Sequence, residues 1–167
     1  MWTRGAVLTF LATHGTVVEM KGRTSDSAIT YRGIVYPWQC DHMGHMNVMW
    51  YTSKFDEATW NLFAFIGITP TYIREQKRGM AAVQQNTEYK RELAAGDVVI
   101  VRSSILEIRE KVIRFQHELI NDEKNEVAAI SELTGVHLDL LTRKACPFPP
   151  EILDRAAQSC ADRSRDG

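Results

Sequence analysis

NVMWYTSKFDEATWNLFAFIG, Asn47 to Gly67, repeats its apolar residues at helical spacing over several turns. Val48, Tyr51, Phe55, Ala58, Thr59, Leu62, Phe65 and Ile66 recur at threes and fours, while Ser53, Lys54, Glu57 and Asn61 gather opposite. The pattern predicts a helix of about five turns at ~3.6 residues per turn. Asn47 suits its start, because a short side-chain oxygen can accept from an otherwise unsatisfied early amide, and Gly67 suits its end.

Upstream of this helix, Tyr31 to Tyr36 (YRGIVY) is a short β-rich run closed by Pro37, which has no N–H to give to a ladder. Downstream, a loop containing Ile68-Thr69-Pro70 and the charged REQKRG of Arg74 to Gly79 leads into four strand-like stretches. These are Met80 to Leu93, Val98 to Arg109, Val112 to Ile120 and Val127 to Leu141. The breaks at 94–97, 109–111 and 121–125 are short enough for hairpins, so neighbours should run antiparallel. Within Val112 to Ile120, Ile113, Phe115, His117 and Leu119 share one face and Arg114, Gln116 and Glu118 the other, which predicts one buried face. PFPPEILDRAA, from Pro147, suggests a short terminal helix begun at a proline.

The order is strand, long helix, then four antiparallel strands, an α+β arrangement with one substantial helix to cover a five-stranded sheet. The sheet must then curl around the helix. Its other face and its edges call for a second copy, so a homo-oligomer, dimer or tetramer, is expected.

At 167 residues with 44% apolar content the chain fits one domain with a real core. Charged residues make up 25% and nearly cancel, to a net charge of −1, so no global field recruits nucleic acid or an anionic membrane. An anionic ligand needs a local patch. Cys40, Cys146 and Cys160 are odd in number and form no C-x-x-C pair, which points to a reducing, cytoplasmic setting. Residues 1–29 hold one apolar patch, Ala6 to Ala12, too short to span a bilayer and followed by Thr13, His14 and Gly15 rather than a small-residue cleavage site. They are expected to be a disordered leader, with residues 30–153 as the domain and 154–167 as a polar tail.

The chemistry concentrates just ahead of the long helix. In CDHMGHMNVMWY, Cys40 to Tyr51, an acid, two histidines and an asparagine crowd around a glycine. A metal site, a polar capping turn and a catalytic carboxylate beside a helix start are the competing readings. A metal would draw on Asp41, His42 and His45, with His117 or His137. Gly44 breaks any helix across the histidine pair and no H-E-x-x-H spacing is present, so no metal is expected. Cys40 as a nucleophile has no local signature that places a base. His117, on an apolar strand face, reads as a core histidine.

The element order together with D-x-x-G-H-x-N, Asp41 to Asn47, resembles the hotdog fold, specifically the 4-hydroxybenzoyl-CoA thioesterase-like acyl-CoA thioesterases, over about Thr30 to Leu153. Asp41 and Gly44 match a frequent arrangement of that superfamily. His45 and Asn47 are more similar to the form in plant acyl-carrier-protein thioesterases and their bacterial relatives. Gly135 to Asp139 (GVHLD), followed by Arg143 and Lys144, resembles the family's last strand and basic exit, and His137 matches a position common in that strand. Val48 stands where some members carry an aromatic residue, a difference that a backbone amide tolerates. The resemblance implies a five-stranded antiparallel sheet wrapped around one long central helix, and a thioester hydrolase that acts on acyl-CoA without a cofactor.

Thioester hydrolysis suits so spare a site. The leaving thiol, with a pKa near ~8.5, departs as thiolate without a strong acid. What remains necessary is a carboxylate that deprotonates water or attacks the carbonyl, and donors for the oxyanion. Asp41 supplies the carboxylate, and the helix-start amides around Val48 and Met49 supply the donors. Gly44 lets the turn approach the substrate closely. His45 is expected to orient Asp41 or a water, or to satisfy the turn; Asn47 caps the helix, and its amide could also hold the water. Glu57 is a reserve base, since some hotdog thioesterases carry their acid on this helix. For coenzyme phosphates the candidates are Lys90, Arg91, Arg143 and Lys144, each also explicable as part of a solvated face. Met43, Met46, Trp50, Tyr51 and Phe55 are candidates to line an acyl pocket, though residues at helical spacing are core first. The alternatives are a non-catalytic acyl-CoA-binding module, an acyl-carrier-protein thioesterase and a dehydratase of the same fold. No helix-turn-helix segment or basic extension supports the first, and the dehydratase's histidine-bearing helix pattern is not apparent.

Overall fold

In the computed structural model of the chain, residues 18–19 and 27–161 are described. The elements are β1 (Val18–Glu19), β2 (Ala28–Ile34), a 3-10 turn (Pro37–Gln39), α1 (Val48–Phe65), α2 (Pro70–Gln76), β3 (Arg78–Tyr89), β4 (Val98–Ile108), β5 (Val112–Asn121), β6 (Glu126–Asp139), β7 (Lys144–Ala145) and α3 (Pro150–Ala161). Most of the expected leader, and the tail beyond Ala161, lie outside the described residues.

The sheet order is β2-β4-β5-β6-β3, antiparallel throughout, with β1 beside the far end of β4 and β7 beside the end of β6. β-branched runs such as VVIVRSSILEI in β4 fit a pleated surface buried on the helix side, and the short turns at 109–111 and 122–125 set the registers Ser103↔His117 and His117↔Ser131. The curled sheet holds α1 on its concave side, the arrangement that the hotdog resemblance implies. Leu62, Phe63 and Ile66 at the end of α1 pack with Ile105, Ile113, Phe115, Leu133 and Ile152, while Tyr51, Phe55 and Ala58 pack with Val35, Val99, Val101, Leu119 and Ala129. Each large apolar side chain so buried contributes roughly 1.5–3 kcal/mol.

Several expectations are corrected. Lys54, assigned to the polar face of the helix, is 2% exposed. Its Nζ donates to Tyr31 Oη at 3.1 Å and to the Ile34 carbonyl at 3.4 Å, and lies 5.2 Å from the centre of the Tyr31 ring. β2 packs against the flank of α1 that periodicity left to water. Burial without a touching carboxylate pushes the Lys54 pKa down. On the same helix Phe63 is buried and Phe65 exposed, because the buried arc is made by Leu62, Phe63 and Ile66. The loop after α1 contains the two-turn helix α2: Thr69 Oγ1 accepts from the Tyr72 amide at 3.1 Å and Pro70 occupies the first turn.

Strand ends also shift. β2 starts at Ala28 rather than Tyr31, and β3 stops at Tyr89 rather than Leu93, where the Lys90 and Arg91 amides both turn to the Ala128 carbonyl (2.7 and 3.0 Å) and Leu93 tucks into the core. α3 begins at the expected proline and runs to Ala161, with Ile152 and Ala156 buried, past the boundary at 153.

His117 is a core histidine, as expected. Its Nε2 meets Thr59 Oγ1 at 2.8 Å and its Nδ1 meets Ser103 Oγ, while its ring stacks on Phe55. Burial pushes its pKa down to about 3, so it is neutral in the folded chain. His137 is buried too. Its Nε2 meets Tyr72 Oη at 2.9 Å and its Nδ1 meets the carbonyls of Cys146 and Pro147, so it ties α2 and the approach to α3 to the end of β6. Among the described residues no helix is long and apolar enough to cross a membrane.

Candidate active site

Asp41 sits in a small closed loop between the 3-10 turn and α1. Cys40 and Met46 bridge across it, the Asp41 amide donates to the His45 carbonyl (3.1 Å), and the Gly44 amide returns to the Asp41 carbonyl (3.0 Å). Gly44 has φ +85°, and nothing lies within 4 Å of where its Cβ would be. The demand for glycine is therefore torsional, and the tip of the turn is open. The loop is pinned from outside: the Met46 amide donates to the Leu93 carbonyl (2.7 Å) and the Asn47 amide to the Gln39 carbonyl (2.9 Å).

Both carboxylate oxygens of Asp41 are engaged. Oδ1 accepts from the Met43 amide at 2.8 Å, and Oδ2 accepts from Asn47 Nδ2 at 2.9 Å. These bonds, the Asn47 side chain first, hold the Asp41 carboxyl below the usual range and keep it ionised. The other end of the Asn47 amide caps the helix, Oδ1 accepting from the Met49 amide at 3.1 Å. One side chain thus fixes the carboxylate to the helix start. The cap also occupies the Met49 N–H, one of the two amides expected as oxyanion donors. The Trp50 N–H donates to the Asn47 carbonyl at 2.9 Å, whereas no acceptor among the described residues takes the Val48 N–H.

The Asp41 carboxylate takes its side-chain hydrogen bond from Asn47 and none from His45. His45 Nε2 lies 3.4 Å from Glu92 Oε1. Glu57 is solvent-exposed on α1. Asp56, which the sequence reading did not single out, lines a separate cavity of about 140 Å³ between α1 and β3, together with Phe55, Trp60 and Phe63.

Beside the turn opens a groove of about 330 Å³ lined by His45, Met46, Val48, Tyr51, Tyr89, Lys90, Arg91 and Glu92. Tyr51 and Tyr89 meet edge to face with ring centres 5.1 Å apart, and Tyr51 Oη donates to the Arg91 carbonyl at 3.1 Å. Burial pushes the Tyr51 pKa up to about 12, so the phenol stays neutral. Of the expected acyl-pocket residues, Met46 and Tyr51 line this groove, Met43 is exposed on the turn, and Trp50 and Phe55 pack into the core. Tyr89 and Glu92 were missed, since they reach the site only because the end of β3 meets the start of α1.

The basic candidates separate into two groups. Lys90 and Arg91 line the groove, with Lys90 Nζ 3.0 Å from Glu88 Oε2. Arg143 lies in the turn between β6 and β7 and Lys144 opens β7, where Asp139 pairs with both Lys144 and Arg78. That is the opposite end of β3, roughly 35 Å away along the strand at ~3.3 Å per residue. Around the Asp41 turn Tyr36, Trp38, Met43, Val48 and Met49 are all exposed, with the Tyr36 and Trp38 rings stacked 4.3 Å apart. Among the described residues no group of three or more His, Cys, Asp or Glu side chains is placed to hold a metal ion.

A curled antiparallel sheet around one long helix is the hotdog architecture. The family model of the thioesterase-like superfamily matches residues 35–156, and the chain belongs to that family of thioester hydrolases. It is 27% identical over 126 residues to a betainyl-CoA thioesterase of Pseudomonas aeruginosa, covering 75% of this chain and 79% of that protein. It is 26% identical over 113 residues to an L-carnitine dehydrogenase/betainyl-CoA thioesterase of Agrobacterium fabrum, covering 68% of this chain and 23% of that longer protein. In fold it is similar to a Staphylococcus aureus protein solved in complex with CoA, with a TM-score of 0.75 and 19% identity, covering 81% of this chain and 85% of that one.

Proposed function

We propose that the chain hydrolyses acyl-CoA thioesters at the Asp41 turn. The observation that carries this is the double role of Asn47, which holds an ionised carboxylate against the start of α1 while leaving the Val48 amide without an acceptor among the described residues. A thioester carbonyl oxygen directed at that amide meets a donor and the positive end of the helix dipole, where negative charge develops in the tetrahedral intermediate. Asp41 either takes a proton from a water whose oxygen attacks the carbonyl carbon, or attacks that carbon itself to give an anhydride that water then opens. In both routes the C–S bond breaks, the coenzyme leaves as thiolate and is reprotonated from solvent, and the acid is released.

Lys90 and Arg91 are assigned to the coenzyme's phosphates, Arg for its planar bidentate fork and Lys as a point charge. Arg143 and Lys144 can join them only from a second copy, given their distance from this chain's own turn. The exposed residues around the turn and the exposed stretch Ala82 to Asn86 on the edge strand β3 support a homo-oligomer in which a second copy covers them. The names of the relatives support acyl-CoA over an acyl carrier protein.

The test is thiol release from a panel of short, long and aromatic acyl-CoA esters, by the wild type and by Asp41→Asn, in metal-chelating buffer. Hydrolysis by the wild type with most of the rate lost in a folded Asp41→Asn protein is the expected result. Thermal stabilisation by acyl-CoA without thiol release would replace the enzyme reading with the binding-module one.

A further inference from the structure

The groove beside the Val48 amide has a chemistry of its own, and it deepens the reading above, on which it rests. We infer that this site selects a short acyl group ending in a quaternary ammonium, held in the corner between Tyr51, Tyr89 and Glu92.

Such a head group has no N–H to donate, so directed hydrogen bonds cannot recognise it. Aromatic faces and a nearby negative charge can. The corner offers both. The Tyr51 ring is fixed by its buried position and by its bond to the Arg91 carbonyl, and the half-exposed Tyr89 ring stands at 87° to it. The Glu92 carboxylate reaches the same groove beside His45. Met46 adds a polarizable thioether to the lining. Of the cations in the groove, Lys90 is matched by Glu88, and Arg91 is the one that the coenzyme's phosphates would neutralise. The groove, of about 330 Å³, has room for a compact head beside the thioester.

The reaction fits the catalyst. An ammonium on the carbon next to the carbonyl withdraws electrons and makes that carbonyl more electrophilic. A carboxylate whose basicity is reduced by two hydrogen bonds is then adequate. Betainyl-CoA, for which the Pseudomonas aeruginosa relative is named, is the smallest thioester of this class, which makes it the natural probe.

The experiment compares betainyl-CoA with 3,3-dimethylbutyryl-CoA, in which a carbon replaces the charged nitrogen at constant shape. kcat/KM is measured for the full chain on each ester and divided by that ester's own hydroxide-catalysed rate, which removes the intrinsic activation. The corrected preference for the cation should exceed tenfold in the wild type. It should fall at least fivefold in Tyr89→Leu and in Glu92→Gln, with the loss mainly in KM for the cationic ester. A corrected ratio near one in the wild type, or a ratio that neither variant moves, overturns the cation corner while thiol release still supports the thioesterase. Failure to release thiol from these two esters and from the whole acyl-CoA panel removes the thioesterase reading and this inference with it.

Discussion

Two partly exposed aspartates close similar turns at different places in this chain. Asp41 Oδ1 accepts from the Met43 amide, and Asp139 Oδ1 accepts from the Leu141 and Thr142 amides at 3.0 and 2.8 Å. Both carboxyls are held below the usual range, Asp41 chiefly by the Asn47 side chain and Asp139 chiefly by the Thr142 amide. What separates them is the continuation of the chain. Asp41 is bonded to the residue that caps an 18-residue helix, whereas the Asp139 turn passes through a left-handed Arg143 into the two-residue strand β7. A depressed carboxyl therefore marks a turn in which an aspartate gathers amides; catalysis requires a developing negative charge to have somewhere to go as well. The helix start beside Asp41 offers that, and the Asp139 hairpin does not.

The largest effect should come from removing the charge at each turn in parallel. Asp41→Asn is expected to lower kcat by about 10²–10⁴-fold, the usual worth of a positioned base. Asp139→Asn can still accept the same two amides and should stay within about twofold of wild type on the scale where tenfold is ~1.36 kcal/mol. Steady-state thiol release on both variants decides it, and equal losses would erase the distinction. Next in size is the link itself. Asn47→Ala removes both the cap and the hold on Asp41, so about tenfold in kcat and ~0.5–2 kcal/mol of stability should go together. Asn47→Asp keeps a capping oxygen but loses the amide donor and sets a like charge beside Asp41. Its melting temperature should remain near wild type while kcat falls, and full activity in that variant would sink the coupling.

How much of this was legible beforehand depended on range. The Asp41 turn was readable because its chemistry is local, with D-x-x-G-H-x-N packing the acid, the left-handed glycine and the cap into seven residues. The helix was readable from its period, and its neighbours from their short turns. Lys54 was misassigned because its burial comes from β2, some twenty residues upstream, and helical period records only the helix's own geometry. Tyr89 and Glu92 carry no local signal at all; they matter because β3 ends where α1 begins. α2 did carry one, Thr69-Pro70 as cap and first turn, but seven residues are too few for periodicity to speak.

A smaller effect concerns pH and sharpens the same contrast. Because its native pKa is lowered, Asp41 stays ionised below the ordinary ~3.9, so kcat/KM should hold level from neutral pH down to about that value before falling. In Asn47→Ala the acidic limb should move to higher pH, since the bond that lowers the pKa most is gone. An Asp139→Asn profile should overlay the wild type. A limb that stays put in Asn47→Ala would mean that Asn47 does not tune the carboxylate.

The smallest effect on activity, though not on stability, lies in the core. His117 has a native pKa of about 3 against ~6.5 in an unfolded chain, so between those values the unfolded state binds a proton that the native state does not. Stability is therefore whole above pH ~6.5 and is lost as pH falls toward 3, a direction opposite to that of a histidine stabilised by a carboxylate. His117→Gln keeps hydrogen-bonding capacity near Thr59 and Ser103 but cannot titrate. It should cost stability at pH 7, through imperfect replacement of two buried hydrogen bonds, yet lose less of its melting temperature than wild type between pH 7 and pH 4.5. Parallel acid slopes in the two proteins would show that the acid sensitivity of this fold is set elsewhere. The two aspartate turns are poor candidates for that role, since a carboxyl with a lowered native pKa keeps its contribution until pH falls through the unfolded value of ~3.9, below the range compared.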